Sequence, residues 1–531
     1  MDKIVSTVNP SNEPTSVSAD MPTKPVAVID IGASQIRMAI AQIGRSGSIK
    51  ILETLSQAVD LGKYTFTKLM IRKSTIEECV RSLKSYLRVL RAYDIADPDQ
   101  MRVVATSAVR EAQNRLAFLD RVYIATGIQV EPIDEAEVTR ITYLGIQPFV
   151  QSGAALLNSR SIIIEVGGGS TEVLIAEQDN ISFSHTYRLG SLRLKESLKL
   201  YRGTQAQLRT LMENQIERTT EELQQHLPPE GTIEMIALGG DVRFAVNQLN
   251  TEWDRKGLAC IRVSDLAKLT DQVLSTSEDE LVQQYHINFP TAETLGPALL
   301  AYLQVARALS LERIHVSNVN MRDGLLREMA TREVWTSRFS DQVVSSAVDL
   351  ARRYEVDLPH SIHVAQLADK IFTDLQQEHE LSEQYRWLLY VAAILHEIGL
   401  FVSNQAYHKH SMYVINNSEV FGLGKKQLLI VALIARYHRR SSPKSSHEGY
   451  TALDRDSRIA VAKLAAILRV ADALDRSYSQ RIAEITCHAE EDRLVVEVPN
   501  VEDLSLEQLA LRQKGTLFEE VYGMRVQFRL A

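Results

Sequence analysis

The sequence is short of cysteine, of long apolar runs and of positive charge, and each shortage excludes a class of protein. Its three cysteines, Cys79, Cys260 and Cys487, lie far apart in 531 residues and form no CxxC pair. They offer no disulfide framework, and a reducing cytoplasm is the simplest reading. The longest apolar stretches, at 388–395 and 428–435, fall well below the roughly 18 residues that span a bilayer. No membrane span is expected. Residues 1–24 are rich in Ser, Thr, Pro and Asn. They lack the apolar centre of a signal peptide and read as a disordered tail. The net charge of −8 argues against general nucleic-acid binding, which needs a basic face. A polyanionic substrate held by a local basic patch remains compatible with it.

What is present is an ordinary globular composition, 45% hydrophobic and 24% charged, in a chain long enough for three or four domains. The first part alternates strands and helices, which makes it α/β. Strands are predicted at 26–29, 37–43 and 101–105, and an amphipathic helix at 75–92. A second run of this kind follows. A strand at 162–164 enters Glu165-Val166-Gly167-Gly168-Gly169-Ser170, and another returns at 171–176. Two strand, glycine-turn, strand units about 135 residues apart suggest two similar lobes, one over 25–134 and one over 135–328. Residues 329–480 read as almost wholly helical, and 481–531 as a small α/β cap.

A strand ending in Asp-x-Gly, as at Asp30-Ile31-Gly32, can aim turn amides at phosphate oxygens, and glycine lets the phosphate come close. The carboxylate can hold a hydrated divalent cation or orient water. Three consecutive glycines at 167–169 are poor material for strand or helix interiors and strengthen the second turn as a phosphate site.

Four segments then carry a resemblance: Ile29-Asp30-Ile31-Gly32, Ala105-Thr106-Ser107-Ala108-Val109-Arg110-Glu111-Ala112-Gln113-Asn114, Glu165-Val166-Gly167-Gly168-Gly169-Ser170-Thr171-Glu172 and Val319-Asn320-Met321-Arg322-Asp323-Gly324-Leu325-Leu326. In this order they resemble the characteristic blocks of the exopolyphosphatase and guanosine pentaphosphate phosphatase (Ppx/GppA) family, over about residues 25–530. The resemblance implies two actin-like lobes, as in actin, hexokinase and the Hsp70 ATPase, with substrate phosphates in the cleft between them. It implies hydrolysis of inorganic polyphosphate or guanosine pentaphosphate, Mg²⁺ with a monovalent cation such as K⁺ beside it, and a homodimer.

Residue by residue, the resemblance makes Glu137 the general base for the attacking water and Glu172 a second catalytic carboxylate. Asp30 and Glu165 would hold the metal. Gly32, Ala33, Ser34, Arg37, Gly167, Gly168, Gly169, Ser170 and Arg322 would contact phosphate. The chain departs from the family pattern in three places. Ala33-Ser34-Gln35 replaces Ser-Asn-Ser, Glu165 replaces Asp, and Asp134-Glu135-Ala136-Glu137-Val138-Thr139 keeps one glutamate where the family has two in a row. If Val138 aligns with the family's essential glutamate, a slow or inactive phosphate-chain sensor becomes the rival function.

In the helical region, His363, His396-Glu397 and Asp472 resemble the His, His-Asp, Asp framework of the HD superfamily. That resemblance implies a divalent metal site in an HD-like domain, with Glu in place of Asp. Between Phe421 and His447 lie Lys425, Lys426, Arg436, Arg439, Arg440 and Lys444 without one Asp or Glu before His447. Arg439, Arg440 and Lys444 are the candidate path for a polyphosphate chain, held by screened attraction.

Overall fold

The computed structural model describes residues 24–530 except 45–46, 153–159, 178–179, 200, 228–232, 250–251, 254, 256 and 332–336. The tail expected over 1–24 lies outside the described residues apart from Lys24. No helix among the described residues is long and apolar enough to cross a membrane.

The first lobe is built on β1 (Pro25–Ile31), β2 (Gln35–Ile43), β3 (Ile49–Ala58), β4 (Met101–Ala105) and β5 (Glu131–Pro132), in the order β3-β2-β1-β4-β5. The first three strands form an antiparallel meander, and β4 lies parallel on the other side of β1. β1 reads as a continuous apolar run because it is central and covered on both faces. β3 escaped the sequence reading because it is an edge strand with mostly exposed side chains.

The second lobe repeats this plan with β6 (Arg160–Val166), β7 (Thr171–Glu177), β8 (Asn180–Tyr187), β9 (Ile233–Leu238), β10 (Ala259–Arg262) and β11 (Arg313–Val316). Its order is β10-β11-β9-β6-β7-β8, with β6, β7 and β8 antiparallel and β9 parallel to β6. β1 and β6 therefore hold equivalent central places, and their C-terminal ends open onto the same space.

Two helices join the lobes. Helix Glu135–Ser152 packs on β7 and β8, and helix Met321–Thr331 packs on it and on β1 and β2. Val28, Ala39, Ala41 and Val104 of the first sheet share one core with Val138, Ile141, Leu325 and Leu326 of these helices.

From Ser337 to Leu474 the described structure is helical, from helix Ser337–Arg353 to helix Arg455–Leu474. The chain ends in a three-stranded sheet, β12 (Thr486–Glu490), β13 (Arg493–Val498) and β14 (Arg525–Leu530), in that order. Between β13 and β14 the chain forms two helices divided at Gly515, Ser505–Lys514 and Thr516–Tyr522. The helical domain meets the lobes at Asp134. One oxygen of Asp134 caps helix Glu135–Ser152 by accepting from the Glu137 amide at 2.9 Å. The other accepts from the Lys425 amide at 3.1 Å, the first residue of helix Lys425–Arg436.

Candidate active site

The same turn follows β1 and β6. The Gly32 amide donates to the Gln35 carbonyl at 2.9 Å, and the Gly167 amide donates to the Ser170 carbonyl at 2.8 Å. Behind the second turn, the buried Tyr302 hydroxyl accepts from the Val166 amide at 2.9 Å and donates to the Leu238 carbonyl, which ties the ends of β6 and β9. The second turn presses against the first lobe. A Cβ on Gly169 would stand 2.2 Å from the Ser107 hydroxyl oxygen and 2.4 Å from the Phe66 ring, so only glycine fits there.

Between the turns lies a cleft of about 480 Å³. It gathers all the expected phosphate and metal residues: Asp30, Gly32, Ala33, Ser34, Arg37, Glu165, Gly167, Gly168, Gly169, Ser170 and Arg322, together with Glu172. It also gathers Arg110, Asp241, Arg243 and Asn320, which the sequence reading had not assigned. Arg110 lies inside a segment already quoted for the resemblance. Asp241 and Arg243 follow directly on Gly239-Gly240 at the end of β9, so strand-end position was the signal for them.

Pairing across the turns decides the electrostatics. On β1 and β2, Asp30 stands opposite Arg37. Their ion pair spans 3.7 Å, and Arg322 approaches the same Asp30 oxygen at 3.8 Å. On β6 and β7, Glu165 stands opposite Glu172. Burial raises the pKa of Glu165. Burial, and then the neighbouring Glu165 charge, push Glu172 up to about 7, although the Ser170 hydroxyl donates to Glu172 at 2.6 Å. Burial likewise lifts Asp241 to about 6. Arg322 and Arg243 are both lowered by burial, as expected for guanidinium groups turned into a cleft instead of bulk water. A phosphate chain would find four guanidinium groups here and turn amides on both sides.

The donor set fits a hard divalent cation. Neither Glu165 nor Glu172 has a basic side chain within ion-pair distance among the described residues, while Asp30 has two. The cleft contains no three carboxylates with ligand oxygens converged on one point among the described residues. A cation there would complete its shell with water and substrate oxygens, the habit of Mg²⁺.

Glu137 does not join this cleft. Its carboxylate takes the guanidinium of Arg140 at 2.6 and 2.8 Å, and Arg102 lies 3.9 Å away. Arg140 is itself buried and bridges to Glu328 at 2.7 Å. The next residue, Val138, faces the cleft instead. The Asp134 cap sets the phase of the helix, and that phase turns position 138 inward. The expectation of Glu137 as the base is corrected accordingly.

Two further expectations are corrected. Helix Leu358–Asp374 presents His360, not His363, to His396 and Asp472. His363, nearly one turn on, is turned towards the Ile482 backbone. Glu397 is outside the group and accepts from the Tyr478 hydroxyl at 2.7 Å. The basic strip lies outside the lining of the cleft. Arg439 stacks over the Tyr407 ring at 4.8 Å, near the His438 side chain, and Arg440 and Lys444 line no part of the cleft.

A family model described as "Ppx/GppA phosphatase family" matches residues 39–333, more than half of the chain, and one described as "Ppx/GppA phosphatase, domain III" matches residues 344–515. The chain belongs to the Ppx/GppA phosphatase family. Relatives in this family include a protein of Photobacterium profundum named guanosine-5'-triphosphate,3'-diphosphate pyrophosphatase, 22% identical over 465 residues, which cover 87% of this chain and 86% of that one. A protein of the same name from Aeromonas hydrophila is 23% identical over 494 residues, 89% of this chain and 92% of that one. Among solved structures, an exopolyphosphatase from Cytophaga hutchinsonii superposes with a TM-score of 0.52 at 21% identity, over 58% of this chain and 98% of that one. The likeness is one of fold. Ppx/GppA members are phosphatases acting on phosphoanhydrides.

Proposed function

We propose that the cleft releases orthophosphate from the end of inorganic polyphosphate, with Glu172 as the general base. The observation that carries this reading is the Glu165–Glu172 pair beside the triple-glycine turn: two carboxylates with no basic side chain within ion-pair distance among the described residues, at the place where a terminal phosphate would sit. Glu172 would take a proton from a water whose oxygen attacks the terminal phosphorus. The bridging P–O bond breaks, and the shortened chain leaves as a phosphate anion. Arg37 would hold the chain in the ground state, and Arg322 and Arg243, with the turn amides, would offset the charge that spreads over the equatorial oxygens. Glu165 and Asp30 would hold Mg²⁺, which when bound would supply positive charge against the phosphate oxygens.

Guanosine pentaphosphate is the alternative substrate, because the same reacting end would occupy the same cleft. Incubation with Mg²⁺ and each substrate in turn, with kcat/KM compared, assigns the preference. Failure of both to yield orthophosphate would refute hydrolysis.

A second reading, tight binding with little turnover, is favoured by one observation: the helix bordering the cleft presents the aliphatic Val138. If it holds, the protein binds the phosphate chain without orthophosphate release, and Val138→Glu raises release by about 10²-fold or more, from the low end of general-base effects upward. An active parent whose rate falls in Val138→Glu would reject this reading.

A further inference from the structure

His360, His396 and Asp472 come from three separate helical segments, yet one ligand atom from each lies within 4.8 Å of the others. Both imidazoles are fully buried, and Asp472 is 2% exposed. Their hydrogen bonds fix the tautomers. The Nδ1 of His360 donates to Asp475 at 2.8 Å, and the Nδ1 of His396 donates to the Ala393 carbonyl at 2.7 Å. Each Nε2 is thereby left with a lone pair, and neither has a hydrogen-bond partner among the described residues. A histidine held at Nδ1 by a carboxylate or carbonyl, with Nε2 free, is the arrangement that presents imidazole to a metal. Two such nitrogens and one carboxylate would suit a transition-metal dication.

The group nevertheless contains a cation of its own. Lys514, the last residue of helix Ser505–Lys514, reaches in from the C-terminal unit and bonds its ammonium to Asp472. Its side chain is 13% exposed. A dication beside Asp472 would meet this ammonium at close range in surroundings that screen poorly, so the two exclude each other. On the outer side, the Tyr478 ring stacks on His360 with centroids 3.9 Å apart and closes the group.

We propose that Lys514 is a tethered replacement for a divalent metal: the ligand set is complete, and the cation that balances it is supplied by the protein's own C-terminal unit. The helical domain then has no metal-dependent hydrolysis, and the former metal position serves to dock residues 481–531. Removing the ammonium should reopen the position to metal.

The test uses the full chain and counts metal. Wild-type protein incubated with excess Mn²⁺, Zn²⁺ or anaerobic Fe²⁺ and then desalted should retain no more metal than His396→Ala. Lys514→Met should retain about one ion per chain, as a three-residue ligand set predicts, and Lys514→Met/His396→Ala should lose it. Lys514→Gln serves where Lys514→Met does not fold, with circular dichroism as the check. One ion per wild-type chain that His396→Ala removes would overturn the proposal. So would folded Lys514→Met or Lys514→Gln that retains none. The wild-type measurement needs no variant at position 514, and Mn²⁺ resonance on wild-type protein gives the same answer independently.

Discussion

Across the first glycine turn, Asp30 faces Arg37; at the same two positions of the second turn, Glu165 faces Glu172. The backbone is the same in both, down to the amide-to-carbonyl bond that closes each turn. The first pair neutralises itself, and Arg322 adds a second positive partner. The second pair repels itself, and burial holds both carboxylates above their ordinary range. One scaffold, used twice, thus yields an arm that can attract phosphate and an arm with proton affinity to spare. The fold supplies the place, and a single side chain at the start of the returning strand decides the role.

Removing the second arm's function should have the largest effect. Glu172→Gln is expected to lower kcat for orthophosphate release by about 10³-fold, within the range of a lost general base, with KM little changed. In the parent, kcat/KM should climb as pH rises through about 7, the value at which Glu172 ionises, and Glu172→Gln should lack that limb. Stability gives the opposite sign. Folding favours the protonated form of Glu172, so its contribution is present at low pH and is lost as pH rises from the ordinary glutamate range through about 7. Melting temperatures in metal-free buffer should therefore diverge in favour of Glu172→Gln as pH rises from the ordinary glutamate range to about 7, and stay apart by a constant amount above it. A flat difference across pH would show that the two arms are electrostatically alike.

Breaking the first arm should act on binding. Arg37→Gln is expected to raise KM about 10-fold or more, the worth of one charge-assisted hydrogen bond, while kcat holds. A fall confined to kcat would erase the division between the arms. Gly169→Ala tests the contact between them. Its methyl group has no room beside Ser107 and Phe66, and thermal unfolding should show a loss of about 1–3 kcal/mol. The smallest kinetic effect is expected from Glu137→Gln. Release should stay within about twofold, while stability falls by about 1 kcal/mol as the buried Arg140 loses one of its two carboxylates.

Much of this plan was legible in the residues. Glycine after an apolar strand marked both turns, as Asp30-Ile31-Gly32 in the first and, more plainly, as Gly167-Gly168-Gly169 in the second, for which few other roles are suitable. The alternation of strands and helices gave two lobes, and its disappearance gave the helical domain. Helix phase was not legible. Glu137 and Val138 are neighbours, and which one enters the cleft depends on a cap at Asp134 and a partner at Arg140. The same holds for His360 and His363, nearly one turn apart on one helix and both buried. Lys514 could not have been found from the pattern around Asp472, since it arrives from another unit 42 positions later. Arg439, Arg440 and Lys444 stood out because charge is visible in a sequence, whereas their place outside the lining of the cleft is not.

The shared cap at Asp134 has an outcome for how this chain can drift. Gly424 lies so close that a Cβ there would stand 2.2 Å from an Asp134 carboxylate oxygen. A side chain at 424 therefore requires a shorter residue at 134, and a carboxylate at 134 requires glycine at 424. Two letters 290 places apart in the sequence should accordingly be inherited as one, so that the residue opening the cleft helix and the residue opening the third domain's helix change together or not at all.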